Sequence, residues 1–205
     1  LRAAIGFITV VCVIAWIVVL RRLVQRRKQP VIQAATFPLC LTILLGCVFL
    51  YSYVFTLLPS TPTAAACVLQ PFLLHIGSIL ILASFVAKAF RVYRLYIVPD
   101  NATITTKALL QFVAAAMFAY FTLALVWAIQ DPMKPTLRHD SNLQIEFVAC
   151  FSNGTLWNSP FFVMDLFFIG FGIYFCLKIR NVRGTINESQ PLAFCFAAMI
   201  YVSST

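Results

Sequence analysis

Residues 31–87 read VIQAATFPLCLTILLGCVFLYSYVFTLLPSTPTAAACVLQPFLLHIGSILILASFVA, without a single Asp, Glu, Lys or Arg. A helix that crosses a bilayer needs about 20 mostly apolar residues, so this run is far too long for one span. Pro59-Ser60-Thr61-Pro62-Thr63 divides it, because two prolines and small hydroxyl residues favour a turn over a continuing helix. Residues 3–20, 108–130 and 147–164 are also free of charge. Of the 205 residues, 62% are hydrophobic and 10% charged, whereas a soluble domain carries about 25% charged residues. Water is not the solvent for most of this surface, and the chain reads as a polytopic membrane protein.

The expected fold is all-α, a membrane helix bundle with spans at about 3–20, 36–58, 66–95, 107–129 and 159–178 and a sixth beginning near 189. The first run is longer than a signal-peptide core, ends in Arg21-Arg22 and has no small-x-small cleavage site after it, so it reads as a first span. The chain opens on Leu1 and closes at Thr205 inside an apolar run, so it reads as a piece of something longer. No repeats or low-complexity segments occur.

The net charge is +9, but the basic residues cluster between apolar runs. This is a topology signal, not a nucleic-acid surface, and no nucleic-acid partner is expected. The ends and loops after helices 1, 3 and 5 carry 12 of the Lys and Arg residues, and Arg2, Lys134 and Arg138 are the 3 on the other side. The richer side is cytoplasmic by the positive-inside rule, which places the N-terminus outside.

Cys12, Cys40, Cys47, Cys176 and Cys195 lie inside apolar spans, where a lone cysteine acts as a small hydrophobe. Cys67, at the outer end of helix 3, and Cys150, in the long loop before helix 5, face the side where disulfides persist. Pairing them would pin that loop across helix 3. Of three N-x-[ST] sequons, those at Asn101 and Asn187 fall on the cytoplasmic side. Asn153-Gly154-Thr155 lies outside, either as a glycan acceptor or as an unused sequon close to the membrane.

Catalytic and metal signatures (HExxH, paired CxxC, P-loop, GxSxG) are absent, and neither enzyme activity nor a cofactor or metal is expected. His75 sits in the outer part of helix 3, where a local hydrogen bond competes with a pocket role. Asp165 is an acidic residue inside a span. It reads either as a carboxylate facing an outer pocket or as a hydrogen-bonded tie to a neighbouring helix. Lys88, Arg91 and Arg94 share one arc at the inner end of helix 3. Arg94 can snorkel to lipid phosphates, while the deeper Lys88 calls for a protein partner. Glu188, entering helix 6, lies at the same level, as does Asp100.

The stretch Cys67–Tyr96 resembles the third helix of class C G protein-coupled receptors, with Cys67 at its outer end, Gly77 ten residues on, and Ala87-Lys88, Arg91 and Val92 in an A-K-x-x-R-V motif. Val31-Ile32-Gln33, Pro38 and Gly46-Cys47 are similar to the first inner loop and second helix of GABA-B receptors. Trp127 to Pro132 resembles their W-x-x-x-D-P, and Arg180-Asn181-Val182 with Asn187-Glu188 their third inner loop and helix-6 entry. The chain departs from the pattern at Gln70 and Phe72, where the family often has Arg and Trp, and at Asp165, where it tends to carry Lys.

The resemblance implies a seven-transmembrane receptor fold, here helices 1–5 and part of helix 6, spanning residues 1–205 in the plasma membrane. It implies an extracellular clam-shell domain that binds a small-molecule agonist, a homo- or heterodimer, and a heterotrimeric G protein met by Arg91, Arg94, Lys178, Arg180 and Asn181. It also implies an ionic pair between Lys88 and Glu188. Two rivals stand beside it. One is a receptor-like subunit that does not itself couple. The other is a secondary transporter, which would show inverted repeats and helices broken at mid-membrane.

Overall fold

A computed structural model describes residues 2–26, 37–59, 62–96, 104–140, 145–152 and 158–179. Five helices are long and apolar enough to cross a membrane: α1 (Arg2–Gln25), α2 (Phe37–Leu57), α3 (Ala64–Tyr96), α4 (Thr106–Gln130) and α5 (Asn158–Ile179). The expected sixth span lies outside the described residues.

Most helix ends fall within two residues of the sequence expectation. The exception is α1, which runs on through Arg21 and Arg22 to Gln25. Charge ends the apolar run but not the helix, because Arg has good helix propensity and its stem can lie along the helix while the head reaches water. Local chemistry sets the other boundaries. Pro38 is tolerated in the first turn of α2, where its missing N–H would be unpaired anyway. The Thr63 hydroxyl accepts from the Ala66 N–H at 3.2 Å at the start of α3, and Thr105 caps α4 by accepting from Ala108 N–H.

The central element is α3, which packs against α2, α4 and α5, while α1 leans on α2. Helical periodicity explains which faces meet. On α4, Leu109, Val113, Ala116, Tyr120, Ala124 and Trp127 are buried, a stripe at three- and four-residue spacing. On α5, Phe161, Phe168, Ile169, Phe175, Cys176 and Ile179 are buried. The opposite faces carry large exposed apolar groups such as Phe118 and Phe167, which suit lipid as solvent.

Polar and steric features fix the helix pairs. Trp16 Nε1 donates to the Leu44 carbonyl at 2.9 Å, joining α1 to α2. The hydroxyls of Thr42 and Ser84 meet at 2.6 Å between α2 and α3. Gly46 and Gly77 let those two backbones approach closely, so that a Cβ placed on Gly46 would lie 2.9 Å from the Gly77 carbonyl oxygen.

Between α4 and α5 the chain is not the plain loop expected from sequence. Strands β1 (Lys134–Asp140) and β2 (Ile145–Phe151) pair antiparallel, with Pro135 opposite Cys150 and Leu137 opposite Val148.

Candidate functional site

The two ends of the bundle differ chemically. At one end the hairpin is fastened over α3 by a disulfide between Cys67 and Cys150, with Cα atoms 5.3 Å apart. Cys67 is fully buried. A second fastening joins the hairpin to α4. Trp127 Nε1 donates to the Ser152 hydroxyl at 3.4 Å, and that hydroxyl donates to Asp131 Oδ2 at 2.6 Å. The Asp131 N–H also closes the helix by donating to the Trp127 carbonyl at 2.9 Å. The W-x-x-x-D-P element is therefore a helix terminus whose Trp and Asp side chains meet through one serine of the loop. Ser152 was not singled out from sequence, since nothing local marks a loop serine as a bridge.

Beneath the hairpin lies a cavity of about 400 Å³ whose walls include Tyr53 and Thr56 of α2, Gln70 and His75 of α3, Trp127 of α4 and Cys150. His75 is buried and stacks face to face on Phe161, with ring centroids 3.7 Å apart. Trp127 and Tyr120 close on the same phenyl ring, at centroid distances of 5.9 and 5.8 Å.

Asp165 does not line this cavity. The Tyr120 hydroxyl donates to Asp165 Oδ1 at 2.7 Å, which ties α5 to α4. The two residues read as a shared outer pocket are thus separated, with His75 on the cavity wall and Asp165 one helical turn beyond Phe161. Phe161 and Asp165 are four apart on the same face of α5, where the first stacks on His75 and the second meets Tyr120. Tyr120 could have been found from sequence, as the one tyrosine of the fourth apolar run and a member of its inward stripe.

The other end is basic. Lys88 Nζ approaches Cys40 Sγ of α2 at 3.1 Å. Among the described residues the Arg91 Nη1 is buried with no hydrogen-bond partner. Phe90 and Tyr93 pack on Phe175, joining α3 to α5 near this end, with centroids 5.3 and 5.4 Å apart. Lys178 Nζ lies 5.9 Å from the Tyr174 ring centroid. Arg94, at the last turn of α3, is half-buried. Arg180, Asn181, Glu188 and the Asn153 sequon lie outside the described residues. No group of His, Cys, Asp and Glu able to hold a metal occurs among the described residues.

A family model described as "7 transmembrane sweet-taste receptor of 3 GCPR" matches residues 1–205. The chain belongs to this family, the class C G protein-coupled receptors, whose members are multi-pass signalling receptors and not enzymes. It is similar to Metabotropic glutamate receptor-like protein E of Dictyostelium discoideum, 27% identical over 211 aligned positions that cover 98% of this chain. The chain spans 25% of that relative's length.

Proposed function

We propose that this chain is the signal-transducing transmembrane domain of a GABA-B-like class C receptor of the plasma membrane. In this reading the N-terminus and the hairpin are extracellular, and the basic ends of α1, α3 and α5 face the cytoplasm. The observation that carries the branch assignment is the Trp127–Ser152–Asp131 arrangement, which gives the Trp and Asp side chains of the W-x-x-x-D-P element a structural task. The orientation rests on the 12-to-3 division of Lys and Arg and on the disulfide-bearing hairpin at the poorer end.

The division of labour follows. A small-molecule agonist binds an extracellular domain of the whole receptor, which works as a homo- or heterodimer. The hairpin, fastened to α3 and α4, passes the domain's motion to the bundle, and Asn153 is the glycan acceptor on that side. At the cytoplasmic end Arg91, Arg94 and Lys178, with Arg180 and Asn181, form the surface offered to a heterotrimeric G protein. Lys88 and Glu188 pair across the inner ends of helices 3 and 6 in the resting state, and activation separates them.

The experiment is nucleotide exchange on a heterotrimeric G protein by the full-length receptor in membranes, titrated with γ-aminobutyrate and with glutamate. Saturable stimulation by γ-aminobutyrate is expected. A response to glutamate alone would remove the branch assignment and keep the transducer. Silence towards both at verified surface expression would favour the non-coupling subunit.

A further inference from the structure

We infer that Cys40 and Lys88 are a redox modification site, at which a peroxide converts the Cys40 thiol to a sulfenic acid and the Lys88 amine captures it as a covalent sulfur–nitrogen link between α2 and α3. The observation is the 3.1 Å separation of Lys88 Nζ from Cys40 Sγ, between residues 48 apart in the chain. Both side chains are half-buried, so a molecule as small as hydrogen peroxide can reach the sulfur.

The surroundings hold the two atoms in place. Two turns of α3 and α2 are fixed nearby by the 2.6 Å contact of Thr42 with Ser84, two residues after Cys40 and four before Lys88. The close passage of Gly46 against Gly77 sets the spacing of the same two helices. A nucleophile held beside its electrophile reacts at a high effective concentration. That lets the amine intercept a sulfenic acid before further oxidation or capture by an outside thiol.

The chemistry balances in two steps. In the first, the sulfur gives two electrons to hydrogen peroxide; the O–O bond breaks, an S–O bond forms, and water leaves. In the second, Lys88, having lost its ammonium proton to water, attacks the sulfur. The S–N bond forms, the S–O bond breaks, and the departing hydroxide takes an amine proton to leave as water. Sulfenic acids are known to condense with nitrogen in this way. A cellular thiol reverses the link by attacking the sulfur, which frees the amine and leaves a mixed disulfide that a second thiol reduces.

The link removes the positive charge of Lys88 and holds the side chain on α2. Its effect on signalling rests on the proposed pairing of Lys88 with Glu188, whereas its formation does not. If that pairing holds the resting state, peroxide acts like removal of Lys88 and raises basal activity.

The test uses full-length receptor in membranes, exposed to hydrogen peroxide and digested with chymotrypsin without reductant. A cross-linked peptide pair containing Cys40 and Lys88 is expected, lighter by two hydrogens than its components and lost on treatment with dithiothreitol. Lys88→Arg keeps the charge and the fold but offers no comparable nucleophile. It should abolish the pair and raise labelling of Cys40 by a sulfenic-acid probe about threefold or more. Cys47, two turns along α2 and about 10 Å further on, should show no dependence on residue 88. Equal probe labelling of Cys40 in wild type and Lys88→Arg, with no linked peptide, would overturn the inference. A linked peptide with unchanged basal nucleotide exchange would keep the site and remove the resting-state role of Lys88.

Discussion

Replacing Cys67 or Cys150 by Ser should destabilise the receptor by about 2–5 kcal/mol, the usual range for losing a native disulfide. The bridge joins residues 83 apart in sequence, so it closes a loop containing most of α3, all of α4 and nearly all of the hairpin. In the chain-entropy view a long loop gains most from closure, with strain in the folded state working against it. The bond also has a local consequence. It holds β2 against the start of α3 and forms part of the wall of the cavity over His75. Both single variants and the double variant should therefore melt several degrees below wild type by the same amount, because either change removes the whole bridge. Thermal unfolding of detergent-solubilised receptor measures this. Unchanged melting, with both cysteines recovered as free thiols from non-reduced wild-type protein, would contradict it.

The second large effect is expected at the crossing of α2 and α3. Gly46→Val should cost about 3 kcal/mol or more, at the upper end of overpacking penalties. Even the first added carbon would stand 2.7 Å from Ile81 Cγ1 and 2.9 Å from the Gly77 carbonyl oxygen. A side-chain end can rotate away, but the carbonyl oxygen moves only with the α3 backbone. Separating the helices would also stretch the contacts of Thr42 with Ser84 and of Lys88 with Cys40. Gly170 on α5 is the control, because a Cβ there meets nothing within 4 Å. Gly170→Ala should be neutral or stabilising by up to about 1 kcal/mol through helix propensity. Surface expression and melting temperature separate the two cases, and similar behaviour of both variants would mean that the crossing is not close-packed.

The spans were legible because each is a long, mostly apolar run with few charges, bounded by prolines or basic clusters. The alternation of those clusters also carried the expected orientation. What escaped was information that a one-dimensional pattern does not carry. Arg21 and Arg22 close an apolar run, yet α1 continues past them, since hydropathy reports solvent preference and not backbone conformation. The hairpin was hidden because neither strand alternates cleanly, with Arg138-His139-Asp140 polar throughout and Phe147-Val148 apolar. Cys67 and Cys150 could be read as partners, since topology places both outside the apolar spans on one side, and the structure bonds them. Asp165 left two readings open because a carboxylate in a span needs a donor but does not name one, and the choice of Tyr120 depends on how α4 and α5 turn toward each other. Cys40 read as a small hydrophobe, and only the packing of α2 on α3 brings an amine to it.

The switch proposed for the basic end of this bundle can be measured directly. Basal nucleotide exchange on a heterotrimeric G protein should be compared for full-length wild type, Lys88→Glu, Glu188→Lys and the double reversal at matched surface expression. If Lys88 and Glu188 pair as proposed, each single reversal sets two like charges against each other. That should shift the resting equilibrium by about 1–3 kcal/mol, or roughly fivefold to a hundredfold in the ratio of states. The double reversal restores an opposite-charge pair and should bring basal exchange back toward wild type. Independent effects of the two changes, with no rescue in the double variant, would contradict the account.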